Sequence, residues 1–158
     1  MEISEVENEK KIVLSKFEFS CDDIDSSIPK PLPQVLNFFM LICGKPGSGK
    51  TTLLLNLIAK QNKVYNQKFD TIYIFSPSLT TIKDSPFEDL PEDQIFNEIT
   101  TDNLYVAQQK IKDSGEKVLF ILDDVVNDMK KQGVQTELSK MLMNRRHLAG
   151  AGGSTAFI

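Results

Sequence analysis

Gly44-Lys45-Pro46-Gly47-Ser48-Gly49-Lys50-Thr51 follows an unbroken apolar run, Phe38-Phe39-Met40-Leu41-Ile42-Cys43, and precedes apolar residues at helical spacing, Leu53, Leu54, Leu57 and Ile58. No other stretch limits the fold as much. A glycine-rich turn between a strand and a helix gathers successive backbone N–H groups at the positive end of that helix, which is a site for an anion. The octapeptide matches G-x-x-x-x-G-K-[ST] at every fixed position. With glycine near ~7% of residues, a chance match in a chain of this length falls well below about 1%.

The residue types follow from the chemistry of a nucleoside triphosphate. Gly44, Gly47 and Gly49 free the backbone for turns that bring N–H groups against phosphate oxygens. Lys45, Pro46 and Ser48 complete the loop, and Thr52 extends it into the helix. Lys50 supplies a point charge to the β- and γ-phosphates, and the Thr51 hydroxyl is a Mg²⁺ ligand. ATP and Mg²⁺ are therefore the expected ligands.

From Val35 onward the chain reads as α/β. The 38–43 run, continuous rather than alternating, predicts a strand buried on both faces of a parallel sheet. Residues 69–75 predict a second strand, ended by Ser76-Pro77. The acidic stretch at 78–100 carries no assignable pattern. Leu104, Gln108 and Ile111 suggest a short helix with Gly115 as its stop. Val118-Leu119-Phe120-Ile121-Leu122 predicts a third buried strand, and Val134, Leu138, Met141 and Leu142 the stripe of another helix. Thr155-Ala156-Phe157-Ile158 predicts a fourth strand. Ahead of all this, residues 1–9 are acidic, and Ile12, Leu14, Phe17 and Phe19 form a loosely alternating candidate strand. A connector with Pro29, Pro31 and Pro33 follows. The expected division is an N-terminal extension at 1–27 and a nucleotide-binding domain at 28–158.

The third strand ends in Asp123-Asp124. Acidic pairs often merely cap a helix. Here they stand at the C-terminal end of a buried strand, the edge where α/β sheets bind ligands. Downstream of a phosphate loop, Asp123 is expected to hold Mg²⁺, directly or through water. Asp124 is expected to orient or deprotonate the attacking water. Arg145-Arg146-His147 closes the next helix, where cations suit the dipole. The functional alternative for Arg146 is an arginine finger acting in trans on a neighbour's ATP.

Charge narrows the partners. Eighteen Lys+Arg against 22 Asp+Glu leave a net charge of −4, which excludes a surface wholly given to nucleic acid but permits a local basic patch. Cys21 and Cys43 form no CxxC, and His147 is the sole histidine, so neither a disulfide framework nor a zinc site is indicated. The start of the chain lacks a basic signal region, and no apolar run approaches the ~20 residues of a membrane span. A cytoplasmic protein without a membrane partner is expected.

The ordered set of motifs resembles the genome-packaging ATPases of large DNA viruses, the poxvirus-type branch of the FtsK–HerA superfamily. The matching pieces are Pro31-Leu32-Pro33, the loop at 44–52, Ile72-Tyr73-Ile74-Phe75-Ser76-Pro77, Leu122-Asp123-Asp124 and Asn144-Arg145-Arg146-His147. The similarity covers residues 28–158. It implies a three-layer P-loop NTPase fold of the additional-strand type, with a mainly parallel central sheet whose sensor strand separates the phosphate-loop strand from the Asp123 strand. It further implies a homo-oligomeric ring, ATP-driven translocation of double-stranded DNA, and a place in the host cytoplasm or the virion. The family carries a polar sensor and a further strand beyond the position of Ile158, so the sheet is expected to be incomplete at its C-terminal end. Two other readings use the same loop: a small-molecule kinase, and a nucleotide-binding module without turnover.

Overall fold

A computed structural model describes residues 22–59, 64–79 and 86–158. The acidic start at 1–9 and the candidate strand at 12–19 lie outside the described residues. Helix α1 (Lys50–Ile58) leads to strand β1 (Thr71–Phe75), and a 3₁₀ turn (Glu92–Gln94) leads to the two-residue strand β2 (Ile95–Phe96). Then come α2 (Thr101–Ile111), β3 (Lys117–Leu122), the single turn α3 (Val126–Met129), α4 (Gln132–Asn144) and β4 (Ser154–Phe157).

The four strands form one all-parallel sheet in the order β2-β1-β3-β4. Outside β4, Phe39 makes a parallel bridge with Phe157. β4 therefore separates the phosphate-loop segment from β3, the order that an additional-strand P-loop sheet requires. The fold is the expected α/β one.

Two apolar layers cover the sheet, and strand alternation assigns the residues between them. Tyr73, Phe75, Val118, Phe120 and Phe157 face α2 and α4, which contribute Leu104, Ala107, Ile111, Val134, Leu138 and Met141. Ile74, Leu119, Ile121 and Ala156 face the other way, against Leu54, Leu57 and Ile58 of α1 together with Ile28, Phe38, Tyr65 and Phe87. Phe120 stacks on Tyr73, Phe75 and Phe157 at centroid distances of 5.3, 6.3 and 4.9 Å. This aromatic row fixes the lateral order of three strands, because each ring must find its neighbour at one register.

Three expectations need correction. The 38–43 run is not buried on both faces. Phe38 is buried and Met40 and Ile42 are partly so, whereas Phe39 is 52% and Leu41 72% exposed, and Cys43 is exposed too. Among the described residues the segment pairs with β4 alone, through Phe39 and Phe157. Second, α2 stops at Ile111 rather than at Gly115: Asp113 already has φ 59°, and the Gly115 amide turns to the Ala149 carbonyl at 2.7 Å. Its start is sharper than its end, since the Thr100 hydroxyl accepts from the Asn103 amide at 3.1 Å, an N-cap. Third, the 78–100 stretch does contain structure, the 3₁₀ turn and β2, which pairs with Ile74 and Phe75.

Candidate functional site

Parallel strands bring their C-terminal ends to one edge, and the loops after β1, β3 and the 38–43 segment meet there. Gly49 caps α1 with φ 85° and no side-chain partner, a left-handed conformation that favours glycine. The N–H groups of the first helical turn thus have no side-chain acceptor and point into the loop. Gly44 lies against Ser48: a Cβ there would lie 2.4 Å from Ser48 Oγ and 3.3 Å from Ser48 Cβ, so a larger residue would force the Ser48 hydroxyl to turn away.

Lys50 Nζ donates to the carbonyl oxygens of Gly44 and Lys45 at 3.2 and 3.3 Å. These bonds fold the ammonium back over the concavity lined by Gly47, Gly49, Lys50, Thr51 and Thr52. Thr51 Oγ1 donates to Asp123 Oδ1 at 3.5 Å across 72 residues of sequence. The Asp123 amide donates to the Phe75 carbonyl at 3.1 Å, which holds the carboxylate at the end of the β1–β3 ladder. Burial, and then the charge of Asp124, keeps the Asp123 carboxyl above the usual carboxylate range. Hydrogen bonds from Thr51 and Ser76 and the Lys50 charge oppose that rise.

Ser76 is the residue that sequence reasoning gave no role. It is fully buried, and its Oγ accepts from the Ser78 and Leu79 amides, each at 3.2 Å. With those amides filling its lone pairs, its own proton is left for Asp123. A serine at the close of an apolar run, followed by proline, was the available signal.

Asp124 adopts φ 58° and is exposed, so the chain turns sharply between the two acids. Aspartate tolerates this region better than most residues. Arg146 is not brought to this site. Its guanidinium pairs with Asp22 at 2.8 Å in a cleft shared with Lys117, Gly153 and Ser154. Those residues mark the N-terminal ends of β3 and β4, about 20 Å from the phosphate loop by the length of a six-residue strand. Neighbouring Arg145 is structural: its Nε donates to the Asn37 carbonyl at 2.8 Å and ties α4 to the segment before the loop.

That far cleft, about 990 Å³, is larger than the phosphate-loop concavity of about 270 Å³. Chemistry, not size, decides between them. Only the smaller one combines converging amides, an ammonium and paired oxygen donors.

Mg²⁺ suits that donor set. Among the described residues no group of three or more His, Cys, Asp or Glu could hold a metal alone. Mg²⁺ ordinarily takes one or two protein oxygens plus phosphates and water, at ~2.1 Å, which sets adjacent ligands ~3 Å apart. The Thr51 and Asp123 oxygens are near that spacing.

The family model for the NACHT domain matches residues 39–151, more than half of the chain. The chain belongs to the NACHT domain family. As a NACHT domain it is a nucleotide-binding and nucleotide-hydrolysing P-loop module, and the matched span contains the loop, both acids and the arginines. No curated protein and no solved structure gave a match. No helix among the described residues is long and apolar enough to cross a membrane.

Proposed function

We propose that this NACHT domain binds ATP·Mg²⁺ on residues 44–52 and hydrolyses it to ADP and phosphate. The observation that carries the reading is the contact of Thr51 with Asp123 beside Lys50. Three charges and donors needed for a metal-bound triphosphate stand together, although they come from distant parts of the sequence. Lys50 exchanges its carbonyl partners for β- and γ-phosphate oxygens, and the helix-start amides bind the remaining oxygens. Thr51 and Asp123 would hold the Mg²⁺, and the bound ion would supply positive charge against the phosphates. Asp124 accepts a hydrogen bond from the water that attacks the γ-phosphorus, takes its proton, and the bond from that phosphorus to the β-bridging oxygen breaks.

The finer reading is a subunit of a ring-shaped motor that packages double-stranded DNA, in the host cytoplasm or the virion. Its support is the motif order, with Ser76-Pro77 before the acids and Asn144-Arg145-Arg146-His147 after them. Arg146 then acts in trans, which requires a neighbour's phosphates to approach the edge where it pairs with Asp22. A phosphate-release assay on the chain, with and without double-stranded DNA, tests both levels. Turnover abolished by Lys50→Ala supports the ATPase, and stimulation by DNA supports the motor. Turnover that ignores DNA leaves a P-loop ATPase of another kind.

Binding without turnover is the second reading. The exposed, loop-held position of Asp124 favours it, because no packed element fixes that carboxylate toward the γ-phosphate. Tight binding of ATP with no released phosphate, with or without DNA, selects it.

A further inference from the structure

Asp123, the carboxylate read above as the metal ligand, meets Thr51 at 3.5 Å, a long bond. The terminal torsion of an aspartate is broad and two-fold, so rotamer preference alone does not aim the carboxylate. The neighbouring strand supplies a donor that does. Phe75 lies beside Leu122 in the parallel ladder, and the Asp123 amide donates to the Phe75 carbonyl at 3.1 Å. Phe75 and Leu122 pack in the layer under α2 and α4, whereas Ile74 and Ile121 pack in the layer under α1. Alternation carried one residue further sets Ser76 and Asp123 side by side on the α1 face, where Thr51 opens that helix.

Ser76 is pinned on every side. It is fully buried, its amide donates to the Phe96 carbonyl at 2.9 Å, and its Oγ accepts from the Ser78 and Leu79 amides, each at 3.2 Å. Two amides fill the lone pairs of a hydroxyl and leave it one proton to donate. The Ser78 hydroxyl stands 3.5 Å away, beyond the ~2.5–3.0 Å of a good O–H···O bond. Asp123 is the acceptor.

We propose that Ser76 is the positioning residue of the metal site: its hydroxyl holds one side of the Asp123 carboxylate and keeps the remaining lone pairs turned toward Thr51 and the ion. The inference rests on the ATP·Mg²⁺ reading above and deepens it, by naming a side chain outside the phosphate loop and the acidic pair that sets affinity for the metal. The oxygen that caps the turn at 76–79 also gives its proton to the carboxylate, so turn and metal ligand are joined through one atom. Outer partners of this kind change metal affinity by roughly 10- to 100-fold.

The test reads binding rather than turnover. A fluorescent ATP analogue is titrated into the full chain in EDTA and again at stepped Mg²⁺ concentrations. Ser76→Ala should leave the affinity in EDTA within about twofold and raise the Mg²⁺ concentration at half-effect by about tenfold or more. In an Asp123→Asn background the same substitution should move that concentration by less than about twofold, because the group through which it acts is already altered. Should Ser76→Ala fail to fold, Ser76→Cys, close in size but a weak donor, should give a shift of the same sign. An unchanged Mg²⁺ response, or an equal shift in the Asp123→Asn background, would overturn the proposal and leave Ser76 a turn cap. Binding by the unmodified chain that ignores both Mg²⁺ and Lys50→Ala would overturn the ATP·Mg²⁺ reading itself, and the proposal with it.

Discussion

Two apolar runs, 38–43 and 118–122, look alike in the sequence and meet opposite fates. Each carries half of the site at its C-terminal end, the phosphate loop in one case and Asp123-Asp124 in the other. β3 pairs on both sides, with β1 and β4, and residues 118–121 are fully buried. Among the described residues the 38–43 run makes one bridge, and it exposes Phe39, Leu41 and Cys43. The difference teaches that a continuous apolar run reports contact with apolar surroundings, not how many neighbours a strand will have. Among the described residues, the acids follow a strand paired on both sides, and the glycine-rich loop follows a segment paired with β4 alone.

The comparison breaks most directly by truncating one ring from each run. Phe120→Ala removes the middle of an aromatic stack and should cost about 3–5 kcal/mol, whereas Phe39→Ala should cost no more than about 1 kcal/mol. Denaturant melts of the two variants measure the gap, and equal losses would place both runs in the core. The next effect concerns chemistry carried by the central run. Asp124→Asn should leave nucleotide binding intact and slow hydrolysis about 100-fold, a barrier increase of about 2.7 kcal/mol. In the same assays Asp123→Asn should weaken Mg²⁺-dependent binding itself. Wild-type turnover by Asp124→Asn would reduce that residue to a turn former.

On the loop after the 38–43 run, Lys50→Ala should lower affinity for a fluorescent ATP analogue tenfold or more, about 1.4 kcal/mol. Unchanged affinity would remove the lysine from the phosphate site. The smallest effect belongs to the connector that leads into the 38–43 run. Asp25, bonded to Lys68 at 2.6 Å and to Ser27, has its carboxyl pulled down to about 2. A depressed carboxylate stabilises the fold above its ordinary value of 3.8, and the contribution fades as pH falls toward 2. Asp25→Asn should therefore lower the melting temperature slightly at pH 6, and the gap to the unmodified chain should close between pH 4 and pH 2. A gap independent of pH would mean that the ion pair contributes nothing.

Local chemistry alone determined much of this protein. Gly44 to Thr51 matches a phosphate-binding loop at every fixed position, the leucines after it recur at helical spacing, and the apolar run before Asp123 reads as a strand. These are properties of a few adjacent residues and survive without knowledge of neighbours. What the tertiary structure decided involves partners distant in sequence. Strand order arises from the Tyr73–Phe120–Phe157 row, the Thr51–Asp123 contact spans 72 residues, and Ser76 acquires a role only because Asp123 comes to lie beside it. Arg146 shows the same limit in reverse, since its placement opposite Asp22 depends on the path from α4 to β4. The physical reason is the period of a strand. Alternation by two tells which way a side chain points, but the hydrogen bonds that choose its neighbour are made by backbone groups identical in every residue.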